Sequence, residues 1–285
     1  MRPVAIFRFS PTEGPAGFAD WLTGRGLPWK LISLDAGEAV PVDAAGWSGI
    51  GMMGGPMSVN DGLPWVAPLC RLLRTAVARG VPVIGHCLGG QLLAKAMGAS
   101  VRPAVTPELG WIDVTTNDAG ARRAWFGDRD TFTTFQWHDE TFALPPGAKR
   151  VLTNSYNVEQ GFLLDDRHLG LQCHLEMTAA LLKSWLASSA ADLPAVSMPE
   201  RQSAAEVRRD LPQRLARLHA VAGDVYARWT QGCRRGDPPP RPPAPPPPRP
   251  PPAPAPPGPG PGRGRRGAGG GGGGGGPGPG GVPAF

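Results

Sequence analysis

Cysteine is scarce in this chain of 285 residues, which contains only Cys70, Cys87, Cys173 and Cys233. The four are far apart, and no two of them form a CxxC pair. A disulfide framework or a cysteine zinc site is therefore not expected, because both need cysteines that pair or cluster. Dispersed thiols are typical of a reducing compartment, so the sequence predicts a cytoplasmic protein.

Long apolar runs are missing as well. No stretch reaches the ~18 consecutive apolar residues that a membrane-spanning helix needs, so no membrane association is predicted. Near the N-terminus, Arg8 interrupts the first apolar run after only five residues, which is too short for the core of a secretory signal peptide.

A strong surplus of basic residues is also missing from most of the chain, although its formal net charge is +6. Five arginines and one aspartate fall within residues 237–285, which leaves 24 basic and 22 acidic residues before them. Because no basic face or aromatic platform accompanies this small surplus, we expect no nucleic-acid partner.

Residues 237–285 consist almost entirely of proline, glycine, alanine and arginine, and they hold 20 of the 36 prolines. Such a segment cannot bury enough apolar surface to offset the entropy lost on ordering, so a disordered tail is predicted. Its PxxP-like stretches, such as residues 245–248, leave a proline-recognition module open as a partner. The remainder divides into a main domain at residues 1–190 and a helical extension at 191–236. An apolar stripe in the extension predicts amphipathic helices that pack on the domain or form a dimer contact.

Short apolar runs alternate with helical patterns up to Gly98. Strands are predicted at residues 3–9, 29–34, 49–53 and 81–84, and helices at 14–24, 64–79 and 88–97. This alternation indicates an α/β fold with a parallel sheet and helices on both faces. Strand-like segments then prevail until a helix at residues 178–190. They are residues 111–116, 131–137, 150–153, 159–164 and 170–173.

The fourth strand runs directly into Gly85-x-Cys87-x-Gly89 and then into a helix. This is the cysteine form of a nucleophile elbow, a tight turn that raises one side chain above the carboxyl edge of a sheet. The helix N-terminus next to Cys87 favours a thiolate, and the N–H group of Leu88 would face the oxygen of an attacked carbonyl. His86 is expected to point to the opposite side, as a packing or solvent-edge residue.

Two further segments end at the same sheet edge. In Gly170-Leu-Gln-Cys-His174-Leu-Glu176, residues i and i+2 of a strand share a side, so Glu176 can orient His174 as a base for Cys87. Gly54 and Gly55 follow the third strand and can bring a second backbone N–H group to the oxyanion.

The blocks GGPMS, GHCLGGQ and CHLE together resemble the class I glutamine amidotransferase domain over roughly residues 3–190. They are most similar to its stand-alone branch, which is related to the glutaminase part of GMP synthase. The resemblance implies a flavodoxin-like fold, a cysteine thioester intermediate and release of ammonia from a γ-carboxamide, without a metal or organic cofactor. Residues 1–190 would then form the catalytic domain.

Residue by residue, the resemblance implies that Cys87 is the nucleophile, His174 the base and Glu176 its orienting carboxylate. The implied oxyanion donors and substrate-binding residues are Gly54, Gly55, Leu88, Gln91, His138 and Glu140. Two positions depart from the pattern: Leu175 replaces the usual proline, and His138-Asp139-Glu140 stands where the branch has His-Gly-Asp. A carboxylate at Glu140 would bind the α-amino group of the substrate.

Three functions remain open at this point. The first is hydrolysis of glutamine, whose ammonia would go to a separate synthetase or be released, since no synthetase domain is expected in this chain. The second is hydrolysis of γ-glutamyl peptides or amides by the same triad. The third is a non-catalytic regulatory subunit that keeps the fold.

Overall fold

The computed structural model describes residues 1–234, and the predicted disordered tail at 237–285 lies outside them. Within that range the elements follow each other as strands and helices along the chain. They are β1 Val4–Arg8, α1 Ala16–Gly24, β2 Trp29–Ser33, β3 Gly49–Met52, α2 Val66–Ala78, β4 Val83–His86, α3 Leu88–Ala96, β5 Val101–Thr116, α4 Ala119–Trp125, β6 Thr131–Phe142, β7 Lys149–Thr153, β8 Gly161–Leu164, β9 His168–Leu171, α5 Ala179–Ser188, α6 Ala204–Arg208 and α7 Leu211–Arg234.

The strands form one nine-stranded sheet in the order β2-β1-β3-β4-β9-β8-β7-β5-β6. All pairings from β2 to β9 are parallel, and all pairings from β9 to β6 are antiparallel. The α/β fold expected from the sequence is thus confirmed. Because β1, β3 and β4 run the same way, the loops that follow them all leave at one edge.

Helices cover both faces of the sheet, as the alternation within β1 illustrates. Val4 and Ile6 belong to a core cluster that includes residues of α1, α5 and α7, whereas Ala5 and Phe7 face a second cluster that includes residues of α2 and α3. Successive strand residues point to opposite faces, so both faces need an apolar cover. Each fully buried aliphatic or aromatic side chain stabilises the fold by about 1.5–3 kcal/mol.

The structure differs from the sequence prediction in the antiparallel half. β5 begins at Val101 and pairs with β6 along most of its length, whereas only residues 111–116 were predicted. Pro103 and Pro107 obscure the strand pattern, and the register shifts between Pro103 and Glu108. The short helix α4 was not predicted, although Asp118 caps it by accepting a hydrogen bond from the Ala121 N–H group at 2.6 Å.

The C-terminal segment contains the short α6 and the 24-residue α7. Leu218, Val225 and Trp229 of α7 are buried in the same cluster as the sheet residues Ile6 and Ile84. The apolar stripe of this helix therefore packs on the sheet domain. No helix among residues 1–234 combines the length and apolar character required to cross a membrane.

Candidate active site

Cys87 lies at the junction of β4 and α3, with φ 49° and ψ −110°. This positive φ is unfavourable for a residue with a side chain and marks a strained turn held by its surroundings. Glycines make the turn possible: a Cβ on Gly85 would lie 2.3 Å from the carbonyl of Gly89, and one on Gly90 would lie 2.4 Å from the Leu171 oxygen. The sequence GHCLGG can form this tight turn because neighbouring backbone occupies the space that side chains at Gly85 and Gly90 would fill.

Cys87 is 6% exposed and lines a cavity above the sheet edge. The Gln172 amide donates to its Sγ at 3.7 Å, and the thiol lies 3.9 Å from the Trp137 carbonyl oxygen. The thiol also stands at the N-terminus of α3, where backbone N–H groups favour negative charge. Gln172 was not predicted from the sequence as part of this site.

His174 and Glu176 form a buried pair, with Nδ1 of His174 2.7 Å from Oε1 of Glu176. A carboxylate can only accept here, so Nδ1 carries the hydrogen and Nε2 remains for proton transfer. Burial opposes the imidazolium, but the charges of Glu176 and Cys87 and their hydrogen bonds outweigh it, so the pKa of His174 lies well above its usual value. For Glu176, burial is outweighed by His86 and His174, and its pKa is lowered.

The backbone that presents this pair is not a strand, which corrects the expectation from the sequence. β9 ends at Leu171, and residues 172–177 form bends and a turn. The His174 N–H group donates to the Phe135 carbonyl at 2.9 Å, and the Gly17 N–H group donates to the Glu176 carbonyl at 3.0 Å. His174 and Glu176 therefore meet because neighbouring segments anchor this turn, not because strand residues i and i+2 share a side.

The two glycines after β3 stand against His174 and Leu88. A Cβ on Gly54 would lie 2.7 Å from Cε1 of His174, and one on Gly55 would lie 2.7 Å from Cδ2 of Leu88. Within residues 1–234 the backbone N–H groups of Gly55 and Leu88 donate to no other group. A ligand oxygen at either group would therefore displace no backbone hydrogen bond.

The cavity has a volume of about 970 Å³. Six of the residues predicted for the site line it, and the other three, Glu176, Gly54 and Leu88, do not. The six are Gly55, Cys87, Gln91, His138, Glu140 and His174. Among residues 1–234, no group of three or more His, Cys, Asp or Glu side chains is arranged to hold a metal ion.

Glu140 is held at the cavity from three sides. Ser58 Oγ donates to Oε1 of Glu140 at 2.9 Å, and Gln91 Nε2 donates to its backbone carbonyl at 3.2 Å. His138 contacts the same carbonyl through Nδ1 at 3.0 Å, while its Nε2 lies 3.1 Å from Oε2 of the buried Glu108. Burial would raise the pKa of Glu108, but contacts with His138, Asn157 and Asn154 outweigh it and lower the pKa.

Glu13 is a second carboxyl group beside His174 that sequence reasoning missed. Its Oε2 lies 2.8 Å from the point where a Cβ on Gly54 would stand, on the same side as the His174 ring. Burial, reinforced by the charge of Glu176 and opposed by His174, raises the pKa of Glu13 from 4.5 to about 7. The sequence could have placed Glu13 near this site, because Glu13 follows β1 and the loops after parallel strands leave at the same edge of the sheet.

Comparisons with known proteins were made for the whole chain. Residues 22–190 match the family model described as glutamine amidotransferase class-I. A solved glutamine amido transferase from Methylobacillus flagellatus is 44% identical, with a TM-score of 0.79 over 81% of this chain and 95% of that one. The glutamine amidotransferase-like protein YfeJ of Salmonella typhimurium is 29% identical over 64% of this chain and 78% of its own. A GMP synthase [glutamine-hydrolyzing] of Tropheryma whipplei is 33% identical over 49% of this chain, which spans 27% of that protein.

Proposed function

Because the chain belongs to the class-I glutamine amidotransferase family, we propose that it hydrolyses the γ-amide of glutamine through a cysteine thioester and releases ammonia. The observation that carries this proposal is that Cys87 and His174 line the same cavity and that Glu176 is hydrogen-bonded to His174. A thiol, an imidazole and a carboxylate in this relation are the groups that nucleophilic acyl transfer requires.

In the first half-reaction, the Cys87 sulfur attacks the amide carbon and its proton passes to Nε2 of His174. The carbonyl oxygen gains negative charge, and the N–H groups of Gly55 and Leu88 donate hydrogen bonds to it. When the C–N bond breaks, His174 gives the proton to the leaving nitrogen, and ammonia departs from a glutamyl thioester. Glu176 stabilises the imidazolium that exists between these two proton transfers.

In the second half-reaction, water attacks the thioester carbon and gives a proton to His174. The C–S bond then breaks, glutamate leaves, and the proton returns to the Cys87 sulfur. The same donors at Gly55 and Leu88 hold the second oxyanion. One imidazole therefore serves as base and acid in both steps, in keeping with a pKa held high by Glu176.

Substrate binding is assigned to the lining around Glu140. Its carboxylate, supported by Ser58, pairs with the α-ammonium group of the glutamyl moiety. Gln91 and His138 hold the backbone of Glu140 in place through its carbonyl. Glu140 is one methylene longer than the aspartate of the related branch. Its carboxylate therefore contacts the α-ammonium group farther from the backbone.

Hydrolysis of γ-glutamyl peptides or amides by the same triad is the second candidate. Its specific support is the cavity of about 970 Å³, which lies at the upper end of the ~300–1,000 Å³ found for drug-sized ligands. Glutamine is much smaller than such ligands, so there is room for an amine larger than ammonia. A non-catalytic regulatory role is disfavoured, because Cys87 and His174 line one cavity and Glu176 contacts His174.

For the glutaminase, the ammonia acceptor is proposed to be a separate synthetase. The related Tropheryma whipplei protein is named as a GMP synthase, and this chain spans 27% of it. The rest of that relative is not matched by the aligned residues of this chain.

The test is to incubate the purified protein with glutamine and with a panel of γ-glutamyl amides, and to measure glutamate and the released amine. We expect glutamate and ammonia from glutamine, and no turnover by Cys87→Ser. Efficient cleavage of γ-glutamyl amides without cleavage of glutamine would replace the first candidate by the second. No turnover of any member of the panel would contradict both.

A further inference from the structure

A second imidazole lies beneath the catalytic pair. His86 ends β4, directly before Cys87, and none of its surface is exposed. Its Nε2 stands 3.8 Å from Oε2 of Glu176. Among residues 1–234 that oxygen has no hydrogen-bond partner, whereas Oε1 of the same carboxylate contacts His174. The free side of the carboxylate of Glu176 therefore faces His86, and of the two expectations for His86 the structure favours a packing residue over a solvent-edge residue.

The contacts of His86 define its hydrogen positions. Nδ1 lies 3.3 Å from the Met52 carbonyl oxygen, which can only accept, so Nδ1 carries a hydrogen. Nε2 lies 3.1 Å from the hydroxyl of Tyr226. Burial is the main cause that lowers the pKa of His86, with Glu176 opposing it and His174 reinforcing it. A neutral ring with its hydrogen on Nδ1 accepts the Tyr226 hydrogen bond at Nε2.

Tyr226 comes from α7, beyond the residues 22–190 that match the family model. It is 1% exposed and packs edge-on against Phe18, with ring centroids 4.9 Å apart. Burial, then the charges of Glu176 and Cys173, raise the pKa of Tyr226 well above its usual value. The hydroxyl therefore stays protonated and remains a donor to His86.

We propose that Tyr226 and His86 are positioning residues for the reaction: Tyr226 fixes the tautomer of His86, so that Glu176 directs its whole charge to His174. Without the Tyr226 hydroxyl, Nε2 of His86 is free to take up a hydrogen and point it at Oε2 of Glu176. Negative charge would then be shared between two imidazoles, and His174 would hold its proton less strongly.

The titratable groups that face this arrangement come from every neighbouring element. Glu13 follows β1, Cys87 lies between β4 and α3, Cys173 precedes His174, and Tyr226 belongs to α7. Of these, only Tyr226 contacts Nε2 of His86 by a hydrogen bond. Removing its hydroxyl therefore changes one contact and leaves the groups on the cavity side in place.

The inference rests on the proposed function, but one test needs no substrate. Alkylation of Cys87 by iodoacetamide, followed against pH by mass spectrometry, reports how readily the thiol ionises beside His174. For Tyr226→Phe we expect the rate near neutral pH to fall about three- to tenfold, the effect of one buried hydrogen bond, and to rejoin the wild type at high pH. In the His86→Asn background, which keeps a donor toward Met52 but has no second ring nitrogen to share the charge of Glu176, Tyr226→Phe should cause no further fall.

The matched control is Tyr156→Phe, which removes the hydroxyl of the only other tyrosine, outside the catalytic cavity. It should follow the wild-type profile. Where glutamine or a γ-glutamyl amide is turned over, Tyr226→Phe should lower kcat and leave KM nearly unchanged. A Tyr226→Phe profile that overlays the wild type, or a loss equal at every pH, would overturn the positioning role. Absence of turnover by the wild type would instead contradict the proposed function and leave the alkylation result to decide the positioning role by itself.

Discussion

Glu13 leads to a prediction about stability that the structure quantifies. The folded protein holds a proton on this carboxyl group up to about pH 7, whereas an unfolded chain releases it near the usual 4.5. Between these values the folded state binds more protons than the unfolded state, so stability falls as pH rises through this window. Above this pH window the loss of stability is complete. Glu13→Gln cannot ionise and should not show this loss.

The size of the effect follows from the difference between 4.5 and about 7. At ~1.4 kcal/mol for each pH unit, this difference corresponds to about 3 kcal/mol. Glu13 also faces an open cavity, where water screens part of the charge, so we expect about 2–3 kcal/mol. The variant should therefore gain that much stability relative to wild type between about pH 4.5 and about pH 8.

The assay is urea unfolding of both proteins at several pH values, with the free energy of unfolding taken by linear extrapolation. Glu38→Gln serves as the control, because Glu38 is exposed. Its free energy of unfolding should differ from that of the wild type by the same amount at every pH. The reasoning is refuted if the stability difference between Glu13→Gln and wild type is the same at both ends of the pH range.

Two further changes probe the cavity. Gly54→Ala places a methyl group 2.7 Å from Cε1 of His174 and should lower kcat about a hundredfold, as expected for a displaced catalytic group. Gly46→Ala, where nothing lies within 4 Å, is its control, and equal activity of the two would contradict the packing. Glu140→Gln removes a charge-assisted contact of roughly 1.5–3 kcal/mol and should lower kcat/KM about ten- to hundredfold for glutamine and γ-glutamyl amides alike. Unchanged kcat/KM on both would mean that Glu140 does not bind the α-ammonium group.

The fold of the parallel half was predictable because its signals are local. Apolar runs of strand length alternate with helical patterns, and Gly85 and Gly89 mark the elbow around Cys87. The same approach failed for residues 101–110, where prolines hide a strand that only its partner β6 specifies. The secondary structure of such segments depends on pairing with a distant strand, which no local sequence pattern indicates.

The positions of Cys87 and Gly55 at the cavity were predictable, because both residues follow parallel strands. His174 and Glu176 were chosen for a strand geometry that the structure does not contain, and they meet through a turn anchored by Phe135 and Gly17. The surroundings of His86 were out of reach of the sequence, since its partner Tyr226 lies 140 residues further along the chain.

The central claim, that Cys87 forms the covalent intermediate, is tested most directly by a diazo-ketone analogue of glutamine. The analogue should bind as the substrate does, and its electrophilic carbon should alkylate the nucleophile. All four cysteines are buried in the structure, but only Cys87 lines the cavity and stands at a helix N-terminus beside a base. Peptide mapping by mass spectrometry should therefore find the modification on Cys87 alone, with protection by glutamine. Modification of Cys70 or Cys233 with Cys87 untouched would contradict the account.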